Sequence, residues 1–369
     1  MDKKVYALRD TSLLVSPALI YYRDIILANT HRIIEMAGGA DRLWPHVKSH
    51  KTEEMIRLQI ELGITRFKCA TIAEAEMTAK AGGRDIILAY PLVGPNVSRF
   101  LRLAAGFGQT AFYAVGDDFR QLEILAAEAG KMGTQANVLV DVDVGMHRTG
   151  VSPNKLEGFY EAAAALKGIS LRGMHCYDGH IKDSDFSVRK AKVDEIDREV
   201  LRIKESLERK GLDCGLMVMG GTPTFPCRAG KNGIYLSPGT CFIGHWGYHK
   251  KIPDMHFPPG AALFTRVVSH PTEVSFTLDL GSKGIASDSA GEPGVIVGME
   301  EAKPLFQSEE HWVFSPPAGH PLPPIGSGCY VIPSHICPTS ALYPRIIVAR
   351  DGEITGEWEV TARNRRINY

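Results

Sequence analysis

Short apolar runs alternate with longer amphipathic runs through the first two thirds of the chain. Residues 43–47, 66–70, 85–90, 110–114, 137–142, 170–177, 216–219 and 233–236 read as strands, each short, apolar and bounded by polar or turn-forming residues. Between them, residues 53–62, 72–81 and 118–129 read as helices. The clearest helix runs from about 187 to 210, where Val193, Ile196, Val200, Ile203 and Leu207 step by three and four and so share one face. Gly211 follows at the position of a C-terminal cap glycine. This repeated alternation points to an α/β fold, a closed parallel (β/α)8 barrel over residues 23–250. A doubly wound open sheet is the alternative, since periodicity alone does not close a barrel.

The pattern changes near Pro253. Proline- and glycine-rich breaks at 258–260, 315–319 and 321–328 separate strand-like runs at 263–268, 274–280, 294–297, 330–332 and 346–349, with no helical runs between them. These predict a second, all-β C-terminal domain. The opening stretch 13–22 is also strand-like and precedes the barrel. We therefore expect a discontinuous β domain made of residues 1–22 plus 251–369.

Charge and cysteine content narrow the function classes. Of 369 residues, 42 are Lys or Arg and 42 are Asp or Glu, so the formal net charge is zero. That balance gives no reason to expect nucleic acid or an anionic membrane as a partner. The longest apolar run is too short to span a bilayer, and Met1-Asp2-Lys3-Lys4 carries no signal-peptide core. Seven cysteines at irregular spacing, with no CxxC pair, fit a reduced, cytoplasmic protein.

In a parallel barrel the site forms at the C-terminal ends of the strands. Polar and glycine-rich residues collect there in this chain. Pro45-His46-Val47-Lys48-Ser49-His50-Lys51 follows the first run, and Asp141-Val142-Asp143-Val144-Gly145-Met146-His147-Arg148 ends the fifth. His175-Cys176-Tyr177-Asp178-Gly179-His180 ends the sixth, Gly220-Gly221-Thr222 follows the seventh, and Pro238-Gly239-Thr240 follows the eighth. Two glycine loops, each with a threonine hydroxyl, suit a phosphate, and barrels often hold one after strands seven and eight. A buried lysine near cationic or apolar neighbours becomes a usable amine. Lys48 and Lys51 both qualify by position, and in an extended strand end they point to opposite faces. Arg148 reads either as a salt-bridged surface residue or as a cation near a cofactor ring. Tyr177 and His180 are acid–base types. His335-Ile336-Cys337, taken as extended, places imidazole and thiolate on one face. Such a pair grips a divalent metal while leaving room for water and substrate.

Taken together these motifs resemble the D-threonine aldolase and D-serine dehydratase family, pyridoxal-phosphate enzymes of the alanine-racemase-like fold (fold type III). The resemblance also rests on Ser16-Pro17-Ala18-Leu19, Ala70-Thr71-Ile72-Ala73-Glu74-Ala75-Glu76, Leu88-Ala89-Tyr90-Pro91-Leu92-Val93-Gly94-Pro95, Pro333-Ser334-His335-Ile336-Cys337-Pro338-Thr339 and Trp358-Glu359-Val360-Thr361-Ala362-Arg363. It implies that Lys48 carries pyridoxal 5'-phosphate as a Schiff base and that Arg148 and Tyr177 lie near the cofactor ring. It places the phosphate at Gly220, Gly221, Thr222, Gly239 and Thr240. It implies a divalent metal (Zn, Mn or Mg) on His335 and Cys337, and a homodimer. The implied activity is a lyase on D-3-hydroxy amino acids, aldolase-like and yielding glycine plus an aldehyde. The alternatives are a dehydratase giving an oxo acid and ammonia, an amino-acid racemase, or a non-catalytic pyridoxal-phosphate carrier. Two departures bear on the choice. Cys337 stands where the aldolases tend to have aspartate, and Asp183 stands where several of them carry a histidine. The tail from Trp358 to Arg363 looks more aldolase-like.

Overall fold

The computed structural model describes residues 1–244, 246–288 and 291–369. One helical turn, α1 (Lys3–Tyr6), precedes strand β1 (Ala18–Tyr22) and helix α2 (Arg23–Ala37). The barrel elements then run α3 (Glu53–Glu61), β2 (Arg66–Cys69), α4 (Ile72–Lys80), β3 (Asp85–Leu88), α5 (Asn96–Gly106), β4 (Ala111–Gly116) and α6 (Phe119–Lys131). They continue as β5 (Ala136–Val142), α7 (Pro153–Ala164), β6 (Ile169–Cys176), α8 (Phe186–Arg209), β7 (Leu216–Met219) and β8 (Tyr235–Leu236). The long helix read from the three–four spacing is α8. Val193, Val200, Ile203 and Leu207 are buried on its inner face, and the Gly211 N–H returns to the Glu208 carbonyl at 2.9 Å with a left-handed φ of 80° that favours glycine at that turn.

Strands β2 to β8 form one parallel sheet in sequential order. The expected first strand, 43–47, is not a regular strand. Pro45 lacks an N–H and a 3-10 turn follows at Val47–Ser49, so the ladder cannot extend. The segment nevertheless closes the ring. Leu43 bridges Leu236 on one edge and His46 bridges Lys68 on the other, both in parallel. The Trp44 and His46 N–H groups donate to the Leu236 and Pro238 carbonyls at 2.8 and 2.9 Å, and the Lys68 N–H donates to the Pro45 carbonyl at 2.8 Å. The closed-barrel expectation therefore holds, with seven regular strands and one irregular one. Inside, Trp44, Ile87, Tyr113, Val115, Leu139 and Val218 form an apolar floor. The strand period of two then lifts Asp141, two residues beyond Leu139, onto the same inner face above that floor. Lys68 and His175 share this level. Lys68 pairs with Ile87 and His175 pairs with Asp141 and Val218.

After α9 (Trp246–Lys251), the chain builds a second sheet from β9 (Ala261–Thr272), β10 (Ser275–Leu278), β11 (Gly294–Ile296), β12 (Lys303–Gln307), β13 (Trp312–Ser315) and β14 (Gly328–Pro333). Helix α10 (Ile336–Leu342) and strands β15 (Arg345–Arg350) and β16 (Glu353–Glu359) complete it. Strand β1 joins this sheet, antiparallel to β9 and parallel to β15. The opening segment does pair with the β region, but only from Ala18. Leu13 is 94% exposed and lies in a turn. The second region is not purely β, because α10 begins inside the His-x-Cys motif. Strands β12, β13 and β16 fall outside the runs marked by apolar pattern. No helix among the described residues is long and apolar enough to cross a membrane.

Trp44 is fully buried between Tyr113 and Tyr235, with ring centroids 5.8 and 6.3 Å away. Trp44→Ala should cost about 3–5 kcal/mol of stability, read as a lowered denaturant midpoint. A loss under about 1 kcal/mol would show that the irregular segment is not part of the barrel core.

Candidate functional site

The 3-10 turn Val47–Ser49 carries Lys48 to the mouth of the barrel, where its Nζ lies 5.9 Å from the Tyr177 ring centroid. Lys51 takes a different course. It adopts a left-handed backbone (φ 59°) and pairs with the buried carboxylate of Glu74. Glu74 also accepts from the Ala70 N–H at 2.6 Å, so this ion pair ties the lysine segment to the start of α4. The structure thus separates the two lysines, through a turn and an ion pair rather than through strand alternation. Lys48 faces the site and Lys51 is held away from it.

Tyr177 is the centre of the cluster. It sits just past β6 and is wedged by glycines. A Cβ on Gly221 would come within 2.9 Å of its Cε2, and one on Gly179 within 2.3 Å of its hydroxyl. Three cations face its ring: Lys48, Lys68 at 5.5 Å and Arg148 at 4.9 Å. Burial raises the Tyr177 pKa, and Arg148 partly opposes that rise. Beneath it, Lys68 Nζ lies 3.4 Å from His175 Nε2, and His175 Nδ1 lies 2.7 Å from Asp141 Oδ1. The Asp141 carboxylate accepts from Nδ1–H, which leaves the lone pair on Nε2 to accept from Lys68. Burial and the ammonium of Lys48 hold the Lys68 amine down at about 7. Lys68 was missed in the sequence reading, and its position between the apolar Phe67 and Cys69 of a strand run was the signal available.

The two glycine loops meet. The Gly239 N–H donates to Thr222 Oγ1 at 3.0 Å. The Gly221 N–H donates to Thr224 Oγ1 at 3.0 Å, and that hydroxyl donates to Asp178 at 2.6 Å. The buried Arg228 grips Asp178 at 2.6 Å and Asp197 at 2.8 Å from behind. A Cβ on Gly239 would stand 3.1 Å from His46 Cβ. The Thr222 N–H donates to no partner among the described residues. Two joined glycine loops with an unused N–H suit an anion such as phosphate.

His335 caps α10 and Cys337 lies in its first turn, so the pair is brought together by a helix start, not by an extended strand. The two side chains are hydrogen-bonded to each other. His335 Nδ1 also bonds Asp288 at 2.7 Å, which leaves the lone pair on Nε2, an arrangement common behind metal-binding imidazoles. Burial pushes the Cys337 thiol up, but hydrogen bonds with His335, Ser49 and Thr240 outweigh it and hold it below the usual thiol value. Ser49 Oγ and Thr240 Oγ1 lie 3.3 and 3.4 Å from Cys337 Sγ. The lysine segment, the second glycine loop and α10 therefore converge on one thiol. Among the described residues no group of three or more His, Cys, Asp or Glu side chains is placed to hold a metal ion. His180 is exposed, with its ring over Gly145 in the loop that carries Arg148.

The profile of the alanine racemase N-terminal domain matches residues 23–245, more than half of the chain. The chain belongs to that family. Residues 260–349 match the model of a serine dehydratase domain. Among characterised relatives, the D-threonine aldolase of Arthrobacter sp is 29% identical over 341 residues, 89% of this chain and 88% of that protein. The 3-hydroxy-D-aspartate aldolase of Paracoccus denitrificans is 28% identical over 96% of this chain and 94% of that protein. The crystal structure of D-threonine aldolase from Filomicrobium marinum superposes with a TM-score of 0.87 at 26% identity, covering 95% of each chain. The family match covers the barrel with its lysine turn and both glycine loops, while the second match contains the His335–Cys337 pair.

His46 and His50 flank Lys48 and are both held neutral, by burial first and then by nearby lysines; His50 falls to about 3. The unfolded chain, with ordinary histidines near 6.5, binds more protons than the fold between about pH 3 and 6.5. Stability should therefore fall as pH drops through that window. The urea midpoint of His50→Gln should fall less between pH 7 and pH 4 than that of the natural chain. Equal losses in both would contradict the buried neutral imidazole.

Proposed function

We propose that this chain is a pyridoxal-phosphate- and divalent-metal-dependent lyase that cleaves D-3-hydroxy amino acids to glycine and an aldehyde. One observation carries the reading. Lys48 faces Tyr177 beside the joined glycine loops, and the His335–Cys337 pair reaches the same place through Ser49 and Thr240. The glycine cradle and the unused Thr222 N–H fit the cofactor's phosphate at Gly220, Gly221, Thr222, Gly239 and Thr240. The relatives named above are aldolases of D-threonine and of 3-hydroxy-D-aspartate, and they match this chain over nearly its full length.

In this reading Lys48 holds the cofactor covalently, and Arg148 and Tyr177 flank its ring. The cofactor, when bound, supplies the electron sink for charge left on the substrate's α-carbon. His335 and Cys337 would hold a Zn, Mn or Mg ion, and the chemistry it would supply is Lewis-acid polarisation of the substrate's β-hydroxyl. Tyr177 and His180 serve as acid–base groups at the mouth. The buried Thr224–Asp178–Arg228 chain keeps the Gly221 N–H and Tyr177 in register, so that phosphate and ring are held by one rigid unit. Residues 23–250 act as the cofactor domain, and residues 1–22 plus 251–369 bring the metal pair. All seven cysteines are free and six are buried, which suits a reducing cytoplasm. The family resemblance supports a homodimer.

A dehydratase is the second reading. It is favoured by the serine dehydratase match over residues 260–349 and by a cysteine, not an aspartate, at position 337.

Product analysis with D-threonine, pyridoxal phosphate and Mn²⁺ separates the two. We expect glycine and acetaldehyde, loss of turnover in chelator, and loss by a factor of 10³ or more in Lys48→Ala with retention in Lys51→Ala. An oxo acid plus ammonia would establish the dehydratase. No turnover on any D-3-hydroxy amino acid would overturn both.

A further inference from the structure

Outside the barrel wall, a cavity of about 170 Å³ lies between the end of β3, the start of α4 and α5. Ile87 belongs to the inner floor, so Leu88 beside it faces outward. Leu88, Leu92 and Ile72 give the cavity an apolar side. Thr71, Tyr90, Asn96, Arg99 and Arg365 give it a polar one, and no Asp or Glu among the described residues lines it. The polar side is rich in spare donors. Thr71 Oγ1 accepts from the Glu74 N–H at 3.1 Å, which leaves its own hydrogen to give. Asn96 Oδ1 accepts from Arg99 Nη1 at 2.9 Å, which leaves the amide NH2 to give. Arg99 Nη2 holds the main-chain oxygens of Tyr369 and Arg365 at 2.7 and 3.3 Å. The Nε of Arg99 is buried and has no partner among the described residues. An unpaired buried guanidinium N–H is costly, so this atom calls for an acceptor. Arg365 reaches the cavity from the C-terminal tail, and its guanidinium forms no ion pair among the described residues.

We propose that this cavity binds a small monocarboxylate with an apolar body, and that the bound anion clamps the tail to the barrel. Spare donors, an unpaired guanidinium and no acid select an anion over a cation. The apolar side selects a carbon chain over a bare oxyanion. A cavity of about 150 Å³ admits a benzene-sized group, so a body of about that size fits here. The carboxylate oxygens would take the Arg99 Nε–H and the Arg365 guanidinium, with the chain against Leu88, Leu92 and Ile72. Two parts of the rim also touch Lys51. Ala70 lines the cavity, and its N–H donates at 2.6 Å to Glu74, whose carboxylate pairs with Lys51. The Ala362 N–H, three residues before Arg365, donates to the Lys51 carbonyl at 3.2 Å. An occupied cavity therefore steadies the backbone on both sides of Lys51. The site is divided by β3 from the chamber that holds Tyr177, and it stands whether or not Lys48 carries a cofactor.

The test titrates isovalerate into the full-length protein at pH 7 and follows binding by NMR. Isovalerate should saturate one site with a Kd of about 1 mM or tighter. Arg99→Gln and Arg365→Gln should each weaken it by about tenfold or more, as loss of a charged hydrogen bond does. Arg365 is exposed, so its variant decides even if Arg99→Gln fails to fold. Arg102→Gln, on the same helix but outside the cavity lining, should stay within about twofold of the natural chain. Inorganic phosphate, which lacks the apolar body, should bind at least about tenfold more weakly than isovalerate. At saturation, amide hydrogen exchange at Ala70 and Ala362 should slow. Absence of saturable isovalerate binding would overturn the proposal. Unchanged binding in Arg365→Gln would do so too, by placing the probe elsewhere. Equal weakening by Arg102→Gln would mark diffuse surface charge and overturn the site. Phosphate binding as tightly as isovalerate would overturn the carboxylate assignment, and unaltered exchange at Ala70 and Ala362 would overturn the clamp.

Discussion

Three backbone hydrogen bonds close the barrel, and the site depends on them. The segment Leu43 to His46 is too broken by Pro45 to form a strand, yet it zips β8 to β2 through the N–H groups of Trp44, His46 and Lys68. That closure has two consequences. It buries Trp44 as the floor of the chamber, and it ends in the tight turn that lifts Lys48 toward Tyr177. The same bridge fixes His46 opposite Lys68.

Gathering cations in a closed chamber is costly, and the structure offsets the cost locally. The face of Tyr177 meets three positive groups, the Asp141 carboxylate lies one imidazole away from Lys68, and Lys51 is removed from the group by Glu74. On the far side, Arg228 neutralises Asp178 and Asp197 in the barrel wall. Breaking that buried set by removing one partner would leave a charge uncompensated. It also holds the Gly221 loop, so charge balance in the wall and geometry at the anion cradle are one problem. The second region contributes through α10, whose start brings Cys337 against Ser49 and Thr240.

Much of this was legible in the sequence. The alternation of runs marked β2 to β7 and α8 within a few residues, and the clustering of Lys48, Arg148, Tyr177 and the glycine loops at strand ends anticipated their meeting. What was hidden has physical reasons. Lys68 is one of two charged residues in a four-residue strand, and only the closed ring shows that its side of the strand is the inside. The His-x-Cys segment looked extended, but Pro338 is tolerated in a helix's first turn and His335 caps it, so spacing alone misread the backbone. Strands β12 and β16 are the edges of their sheet and are mostly exposed, so neither carries an alternating apolar signal. Leu13 misled in the opposite sense, being apolar and exposed.

The central claim is a single covalent bond between Lys48 and vitamin B6 aldehyde. Borohydride reduction of cofactor-saturated protein, followed by peptide mapping, tests it most directly. The account requires the pyridoxyl group on Lys48 alone. A modified Lys51, or unmodified lysines throughout residues 43–68, would contradict it.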